Sequence, residues 1–175
     1  MSYASYIREV VKTGREAREF SESEAAQLFG AMLDGGVPEL ELGAVLVALA
    51  IRGESPNELI GFYQALSRRI NRLAPPDGEV RTIVLPAYGG SRERPNLTPL
   101  VALLLQRVGI PVLVHGTLEG HGRVAAAYVF RELGVLPSAT VAQAQAALDR
   151  DKLAFVPTAV LSPGLAALLA LRARL

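Results

Sequence analysis

The chain has 175 residues, of which 50% are hydrophobic and 20% are charged, and its formal net charge is +1. That length builds one domain, or one and a half small ones, with a substantial core, and the balanced charge excludes a disordered acidic or basic tail protein. The absence of cysteine excludes disulfides, thiolate metal sites and cysteine nucleophiles, and the two histidines all but exclude a histidine metal cluster.

The charge is unevenly distributed along the chain. Residues 1–59 carry 5 basic and 10 acidic side chains, whereas residues 60–175 carry 13 basic and 7 acidic ones. All but two of the 18 basic residues are arginines, whose planar donor fork suits phosphate, although a GC-rich genome would also favour arginine codons. No apolar run is long enough to cross a bilayer and no secretion signal is evident, so the sequence predicts a cytoplasmic protein without a membrane partner.

The first part of the chain is predicted to be helical throughout. The predicted helices are Tyr3–Thr13, Ser21–Gly35, Glu39–Arg52 and Ser55 to about Leu73. Ser21 and Ser55 each precede a glutamate by three residues, which is the capping-box pattern of a helix start. Gly14, Gly35 and Gly53 mark helix ends, because glycine adopts the backbone conformation that stops a helix.

The stretch from Ala74 to Gly78 is a predicted linker, after which short apolar strands alternate with helices. The predicted strands are Arg81–Leu85, Pro111–His115 and Leu153–Val156. The predicted helices are Leu97–Val108, Arg123–Leu133, Thr140 to about Leu148, and Ser162–Leu175. This alternation predicts right-handed crossovers and a parallel sheet.

The predicted fold class is therefore α/β, with a small all-helical N-terminal domain before a parallel-sheet α/β domain. The expected domains are residues 1–75 as the helical domain, 79–161 as the first half of the α/β domain, and 162–175 as a helix that returns to the helical domain. Three strands make a thin sheet whose third strand would leave an apolar edge. The α/β domain is therefore expected to be truncated, either because the chain is a fragment or because another chain covers that edge.

Two glycine-rich loops are the candidate sites, because ligands bind beyond the carboxyl ends of parallel strands. In the first loop, Gly89 and Gly90 let backbone N–H groups turn toward one point, and the following helix adds a positive dipole. Arg92 and Arg94 add positive charge, so this loop is a candidate phosphate cradle. The alternative is an exposed surface turn whose arginines are merely solvated.

The second loop runs from His115 to Arg123, and its glycines permit the close approach of a ligand. His115 is expected to be a structural histidine at a strand end, with a local hydrogen bond. His121 could carry a proton or bind phosphate, or it could simply belong to an exposed loop. Glu119 is a lone carboxylate that forms no acid–base pair. The two histidines lack the i, i+4 spacing of a helical zinc pair and have no carboxylate cluster beside them. Neither a catalytic residue nor a metal ligand is therefore predicted.

The order of these segments resembles a known family. The stretch LFGAMLDGGVPELELGAVLVALAIRGESPNEL, within residues 21–66, resembles the helical N-terminal domain of the anthranilate phosphoribosyltransferases, glycosyltransferase family 3. The segment Thr82–Gly134, with its motif GIPVLVHG, resembles the start of that family's α/β domain. The resemblance covers essentially the whole chain, and it implies a homodimer formed through the N-terminal helices.

The catalytic motifs of that family are altered in this sequence. Gly89-Gly90 and Asn96 match the family's phosphoribosyl pyrophosphate loop, but Ser91 stands at the position of an aspartate. The family's K-H-G-N motif becomes Val114–Thr117 (V-H-G-T), without the basic residue and the amide that face the substrates. The family's magnesium-holding acidic pair would lie beyond Leu175. With these altered motifs, the sequence resembles the family's paralogues, which keep the fold and the dimer but bind nucleic acid with little sequence preference.

The resemblance implies a catalytically silent protein that binds a DNA or RNA backbone and keeps the old phosphate cleft as an anion site. The expected anion-binding residues are Gly89, Gly90, Ser91, Arg92, Arg94, Asn96, His115 and Gly116. The expected nucleic-acid contacts, chosen for charge and exposure, are Arg92, Arg94, Arg123, Arg172 and Arg174. No cofactor is expected. The alternative is a pentosyltransferase or phosphoribosyltransferase that uses phosphoribosyl pyrophosphate and magnesium with an unknown acceptor; a third interpretation is a protein-binding module.

Overall fold

The structure is a computed structural model that describes residues 19–90, 94–120 and 122–171. Its elements are α1 Glu22–Leu33, α2 Glu39–Arg52, α3 Pro56–Ser67, β1 Ile83–Ala87, α4 Thr98–Arg107, β2 Val112–Gly116, α5 Ala126–Glu132, α6 Val141–Asp151, β3 Leu153–Pro157, α7 Thr158–Leu161 and α8 Pro163–Ala170. The chain divides between Ile70 and Asn71 into two compact units, one helical and one α/β. Six expectations fall outside the described residues: the helix Tyr3–Thr13, Ser91, Arg92, His121, Arg172 and Arg174.

Two predicted helix starts in the helical unit are confirmed as capping boxes. The Glu24 N–H donates to Ser21 Oγ at 3.3 Å, and the Ser21 N–H donates back to Glu24 Oε2 at 3.0 Å. Ser55 and Glu58 repeat this exchange at 3.3 and 2.8 Å. Each box satisfies two N–H groups that a helix start would leave without partners, which is why α1 and α3 begin at these positions.

Helices α1 and α3 pack together through a close backbone contact. Gly61 of α3 lies so near α1 that a Cβ there would collide with the carbonyl oxygen of Glu22. Phe29 and Phe62 extend the contact, with ring centroids 4.9 Å apart. The buried apolar side chains that α1 contributes are Ala25, Leu28, Met32 and Leu33. The core of the helical unit therefore lies along the side of α1 that its apolar periodicity predicts.

The predicted extension of α3 to Leu73 is wrong, because the helix ends at Ser67. After this point the Arg69 guanidinium donates to both carboxylate oxygens of Asp34, at 2.7 and 2.6 Å. The Asn71 N–H then donates to the Leu161 carbonyl at 2.8 Å rather than to a carbonyl of its own helix. Hydrogen bonds between residues far apart in sequence thus replace the next helical turn. The periodicity of the sequence does not predict such bonds.

The predicted parallel sheet and the α/β fold class are confirmed. The strand order is β1-β2-β3, and both neighbouring pairs are parallel. Helices α4 and α5 cover one face of the sheet, where Phe130 and Phe155 are buried with ring centroids 5.5 Å apart. Helices α6 and α7 cover the other face, over Ala154 and Val156. All five residues of β3 are buried, and their side chains point alternately to the two faces of the sheet, as expected for a strand with helices on each side.

Other helices also differ from the prediction, and α6 runs to Asp151 rather than to about Leu148. Helix α5 begins at Ala126 rather than at Arg123, because Gly122 has φ +80° and the Arg123 N–H donates to the Gly120 carbonyl at 3.0 Å in a turn. The last predicted helix does start after Ser162, but the short helix α7 before it was not predicted. Ser162 separates α7 from α8 with φ −150° and ψ 89°.

The domain limits predicted from the sequence, 1–75, 79–161 and 162–175, stay predictions. So does the expected return of the last helix to the helical domain. Among the described residues, no helix combines the length and the apolar character that a membrane span requires.

Candidate nucleic-acid interface

The three strands end together, so the loops that follow them leave from one edge of the sheet. Ala87, Gly116 and Pro157 are register partners at that edge. Gly116 has no space for a side chain, because a Cβ there would collide with the carbonyl oxygen of Ala87. The two predicted glycine loops therefore start side by side, at the edge where parallel sheets bind ligands.

His115 lies near the end of β2 and is tied to the first loop through Tyr88. The Tyr88 hydroxyl and His115 Nδ1 are 3.0 Å apart, and the two rings meet edge to face with centroids 5.4 Å apart. Burial lowers the pKa of His115 below its ordinary value of 6.5. The imidazole is therefore neutral at pH 7, and it offers a phosphate no positive charge.

The first glycine loop is closed onto the second one. A Cβ on Gly90, which has φ +60°, would approach the Arg123 Cβ to 2.9 Å. Arg123 Nη1 donates to the Gly89 carbonyl at 3.0 Å. Asn96 Nδ2 donates to the Val124 carbonyl, also at 3.0 Å. These contacts join the two loops into one surface, the strand-end surface, which consists of residues 88–90, 94–97 and 122–124 together with the exposed residues of α5 that follow them, among them Tyr128 and Arg131.

Six of the eight predicted anion-loop residues are described, and all six belong either to the first loop or to the end of β2: Gly89, Gly90, Arg94, Asn96, His115 and Gly116. Arg94 is exposed and precedes Asn96 by two residues. Asn96 Oδ1 accepts the Thr98 N–H at 3.3 Å in the first turn of α4, so its amide is engaged on both sides. The structure therefore brings together Gly89, Gly90, Asn96 and Arg123, which the sequence had divided between two loops.

Sequence reasoning missed two residues of this surface, Tyr128 and Arg131. Tyr128 is 40% exposed on α5, and the Arg131 guanidinium carbon lies 5.9 Å from the centre of its ring. The signal was available, because an aromatic residue and an arginine three positions apart on a helix share one face. Arg131 also lies 3.9 Å from Glu132, but both side chains are exposed, so this ion pair holds the arginine only weakly.

A pocket of about 270 Å³ opens beyond the ends of β2 and β3. Leu118, Pro157 and Leu169 make much of its lining apolar. Thr158 also lines it and is only 3% exposed, yet its hydroxyl has no hydrogen-bond partner among the described residues. A buried hydroxyl without a partner is destabilising, and a ligand with a hydrogen-bonding group would satisfy it.

The fold and this site define the class of protein. Residues 5–69 match the family model described as the glycosyl transferase family, helical bundle domain. The chain is also similar in structure to anthranilate phosphoribosyltransferase from Thermus thermophilus, with a TM-score of 0.75 and 23% identity, over 96% of this chain and 50% of that chain. The class is therefore the glycosyl transferase fold with a helical bundle before a parallel α/β unit.

Two relatives identify the family. The chain is 42% identical to the uncharacterised protein YbiB of Escherichia coli K12, over 100% of this chain and 55% of YbiB. It is 32% identical to the anthranilate phosphoribosyltransferase of Methylobacterium radiotolerans, over 87% of this chain and 44% of that enzyme. The chain belongs to the anthranilate phosphoribosyltransferase family, as its motifs predict, and the similarity to YbiB fits the predicted paralogue branch. The chain spans about half the length of the curated relatives it matches.

Proposed function

We propose that this protein binds a nucleic-acid backbone without sequence preference, as a homodimer that has lost the transferase reaction. The observation that carries the proposal is the bond from Arg123 to Gly89, which fixes an arginine between the two strand-end loops. Arg94 and Arg131 are exposed on the same surface. These arginines thus place positive charge in and beside the loops at the edge where parallel sheets bind their ligands.

The chemistry of Arg123 suits a phosphate oxygen. A guanidinium carries several N–H donors in a planar fork, and the bond to Gly89 uses one of them. The Arg123 side chain is exposed, and the fold already orders it, so less conformational entropy is lost when a phosphate binds. Contacts of this kind go to the sugar–phosphate backbone, and they give affinity without sequence information.

The loss of the transferase reaction is supported by two positions of the V-H-G-T motif. Val114, which replaces the basic residue of the related enzymes' motif, is fully buried in the sheet core. Thr117, which replaces their amide residue, donates its hydroxyl to the Glu119 carbonyl at 3.0 Å. Neither residue offers a charged or amide group to a substrate.

The test is fluorescence anisotropy of the whole chain with a labelled single-stranded DNA, a duplex and an RNA. Arg123→Glu is expected to weaken binding to all three about tenfold, because it replaces a phosphate contact by a repulsive charge. Arg150→Glu is the matched control. Arg150 is exposed on α6 and pairs with its neighbour Asp151 at 2.7 Å, away from the strand-end surface. A folded wild-type protein that binds none of the three at low salt would contradict the proposal.

The homodimer is proposed from an apolar face on the helical unit. Leu40 and Ile51 of α2 are 84% and 79% exposed, and Val47 lies between them on the same side of the helix. Leu59, Ile60 and Tyr63 of α3 are exposed as well. Clusters of exposed apolar side chains mark protein interaction sites, and a second copy of this chain would bury this one.

Sedimentation equilibrium tests the dimer. Wild-type protein is expected to have twice the 18.6 kDa mass of one chain, and Ile51→Glu is expected to sediment as a monomer. Leu136→Glu is the control, because Leu136 is equally apolar and exposed but lies in the α/β unit. A wild-type monomer at all concentrations would exclude the homodimer and leave the nucleic-acid interface to be judged separately.

The second candidate function is the transferase, which the pocket around Thr158 favours because it could hold a small acceptor. Among the described residues no three histidine, aspartate or glutamate side chains converge on one point, and the acidic pair that holds magnesium in the related enzymes would lie beyond Leu175. We therefore derive no step through that ion. Release of pyrophosphate from phosphoribosyl pyrophosphate in the presence of magnesium, with the ribosyl group passed to an added acceptor or to water, would favour this candidate over the first.

A further inference from the structure

We propose that Tyr128 is a base-stacking platform, so that the strand-end surface prefers single-stranded nucleic acid to a duplex. This inference rests on the proposed nucleic-acid function and names the form of partner that the site takes. It follows from an exposed aromatic ring with an arginine over it. Tyr128 was not among the nucleic-acid contacts chosen from the sequence, because those residues were chosen for their charge.

The fold holds Tyr128 outward. On α5, Ala126, Ala127 and Phe130 are buried against the sheet. The helix cannot rotate without exposing these side chains, and Tyr128 therefore stays on the outer face. Tyr128 lies four residues after Val124, whose side chain is also exposed.

One arginine lies over this ring, and two further arginines belong to the adjoining loops. The Arg131 guanidinium carbon lies 5.9 Å from the ring centre on the same helix. Arg123 directly precedes Val124 in the chain. The bond from Asn96 Nδ2 to the Val124 carbonyl holds the segment that carries Arg94 next to Val124. Among the described residues of the two loops and α5, the acidic ones are Glu119 and Glu132, and both are exposed to solvent. A phosphate backbone that follows the arginines would pass the ring.

An aromatic ring beside cations is the arrangement by which proteins bind single strands. Every unpaired base has a π-face that can stack on tyrosine, so such binding is indifferent to sequence. In a duplex the bases already stack on each other, and only the phosphates are accessible to this surface. Stacking therefore adds affinity for a single strand, while the arginines serve both forms.

The experiment compares Tyr128→Ala with wild type on three ligands: a single-stranded oligonucleotide, the same backbone with abasic sites, and a duplex. Tyr128→Ala is expected to bind the single strand about tenfold more weakly, which corresponds to the loss of one stacked base. Its affinities for the abasic strand and the duplex should stay unchanged. Tyr128→Phe should retain the wild-type affinity, because the ring is kept. Leu136→Ala is the control for the loss of an exposed apolar side chain in the same unit.

A second measurement locates the contact directly. The chain contains no tryptophan, so Tyr128→Trp introduces a single indole fluorophore at the site. Its emission is expected to be quenched by the single strand and unchanged by the abasic strand. Equal losses on all three ligands with Tyr128→Ala, or an unquenched indole in a Tyr128→Trp protein that binds, would overturn the stacking inference and leave the proposed function standing. Failure of wild type to bind any ligand would overturn both.

Discussion

Glu58 is fully buried in the helical unit and is held by three donors. These donors are the N–H groups of Phe20 at 2.9 Å and of Ser55 at 2.8 Å, and Arg52 Nη2 at 2.5 Å. Burial is the largest single influence on this carboxylate, and it opposes ionisation. The hydrogen bonds together outweigh burial, so the pKa of Glu58 lies below its ordinary value of 4.5.

Glu58→Gln is expected to lower the free energy of unfolding by about 3 kcal/mol at pH 7, because it leaves the guanidinium of Arg52 unpaired in a largely buried site. The Glu58 pKa is lower in the folded state, so the stabilisation is present above about pH 4.5 and is lost as the pH falls through the folded-state pKa. Urea unfolding at pH 7 and at pH 3 should therefore show a smaller difference between wild type and variant at pH 3. The exposed Glu54 provides the control Glu54→Gln, and a difference that does not depend on pH would refute the assignment.

His115 is the other titratable residue whose burial has a measurable consequence. Because burial lowers its pKa, the imidazole should titrate below 6.5 in an NMR titration, in which His115→Asn assigns the signal. The unfolded chain binds this proton more readily than the folded one, so the contribution of His115 to stability falls as the pH drops below 6.5. A titration midpoint at or above 6.5 would contradict the effect of burial on this ring.

At the scale of elements, local signals found the three strands to within two residues and most helix starts, but they missed the start of α5, the short helix α7 and the end of α3. The capping boxes at Ser21 and Ser55 depend on atoms three residues apart, and sequence reasoning finds such patterns. The end of α3 depends on bonds from Arg69 to Asp34 and from Asn71 to Leu161, which are far apart in sequence. The late start of α5 depends on a turn at Gly122 within the second loop, closed by the bond from the Arg123 N–H to the Gly120 carbonyl.

The contact between α1 and α3 predicts opposite effects for one substitution at two glycines. Both Gly43 and Gly61 lie within helices, where alanine is favoured over glycine by about 1 kcal/mol. Gly43 has open space around it, so Gly43→Ala is expected to raise the melting temperature. Gly61→Ala would force α3 away from the Glu22 carbonyl and is expected to destabilise by about 1–3 kcal/mol. Equal shifts of the two melting temperatures by calorimetry would show that α1 and α3 are not in close contact.

At the scale of the whole molecule, a net charge of +1 on 18 basic and 17 acidic residues gives little long-range attraction for nucleic acid. Binding must then come from the few arginines of one surface. If Arg94, Arg123 and Arg131 each neutralise one phosphate of a single strand, log Kd should rise with log salt with a slope of about 2 per bound chain. Anisotropy between low and physiological salt measures this slope. A slope near zero would contradict the electrostatic interface, and a much steeper one would show that further basic residues take part.

The sequence by itself determined the α/β class, the parallel sheet, the helix caps and the family, because each depends on local patterns or on motifs that keep their order. It also selected the candidates Gly89, Gly90, Arg94, Asn96, His115 and Arg123, because charged residues and glycines that follow a predicted strand can be recognised from the order of residues along the chain. Only the tertiary structure decided that the two loops form one surface, because the bonds from Arg123 to Gly89 and from Asn96 to Val124 join residues 34 and 28 positions apart. It likewise decided that Tyr128 is exposed, because the packing of Phe130 against the sheet sets which face of α5 meets solvent.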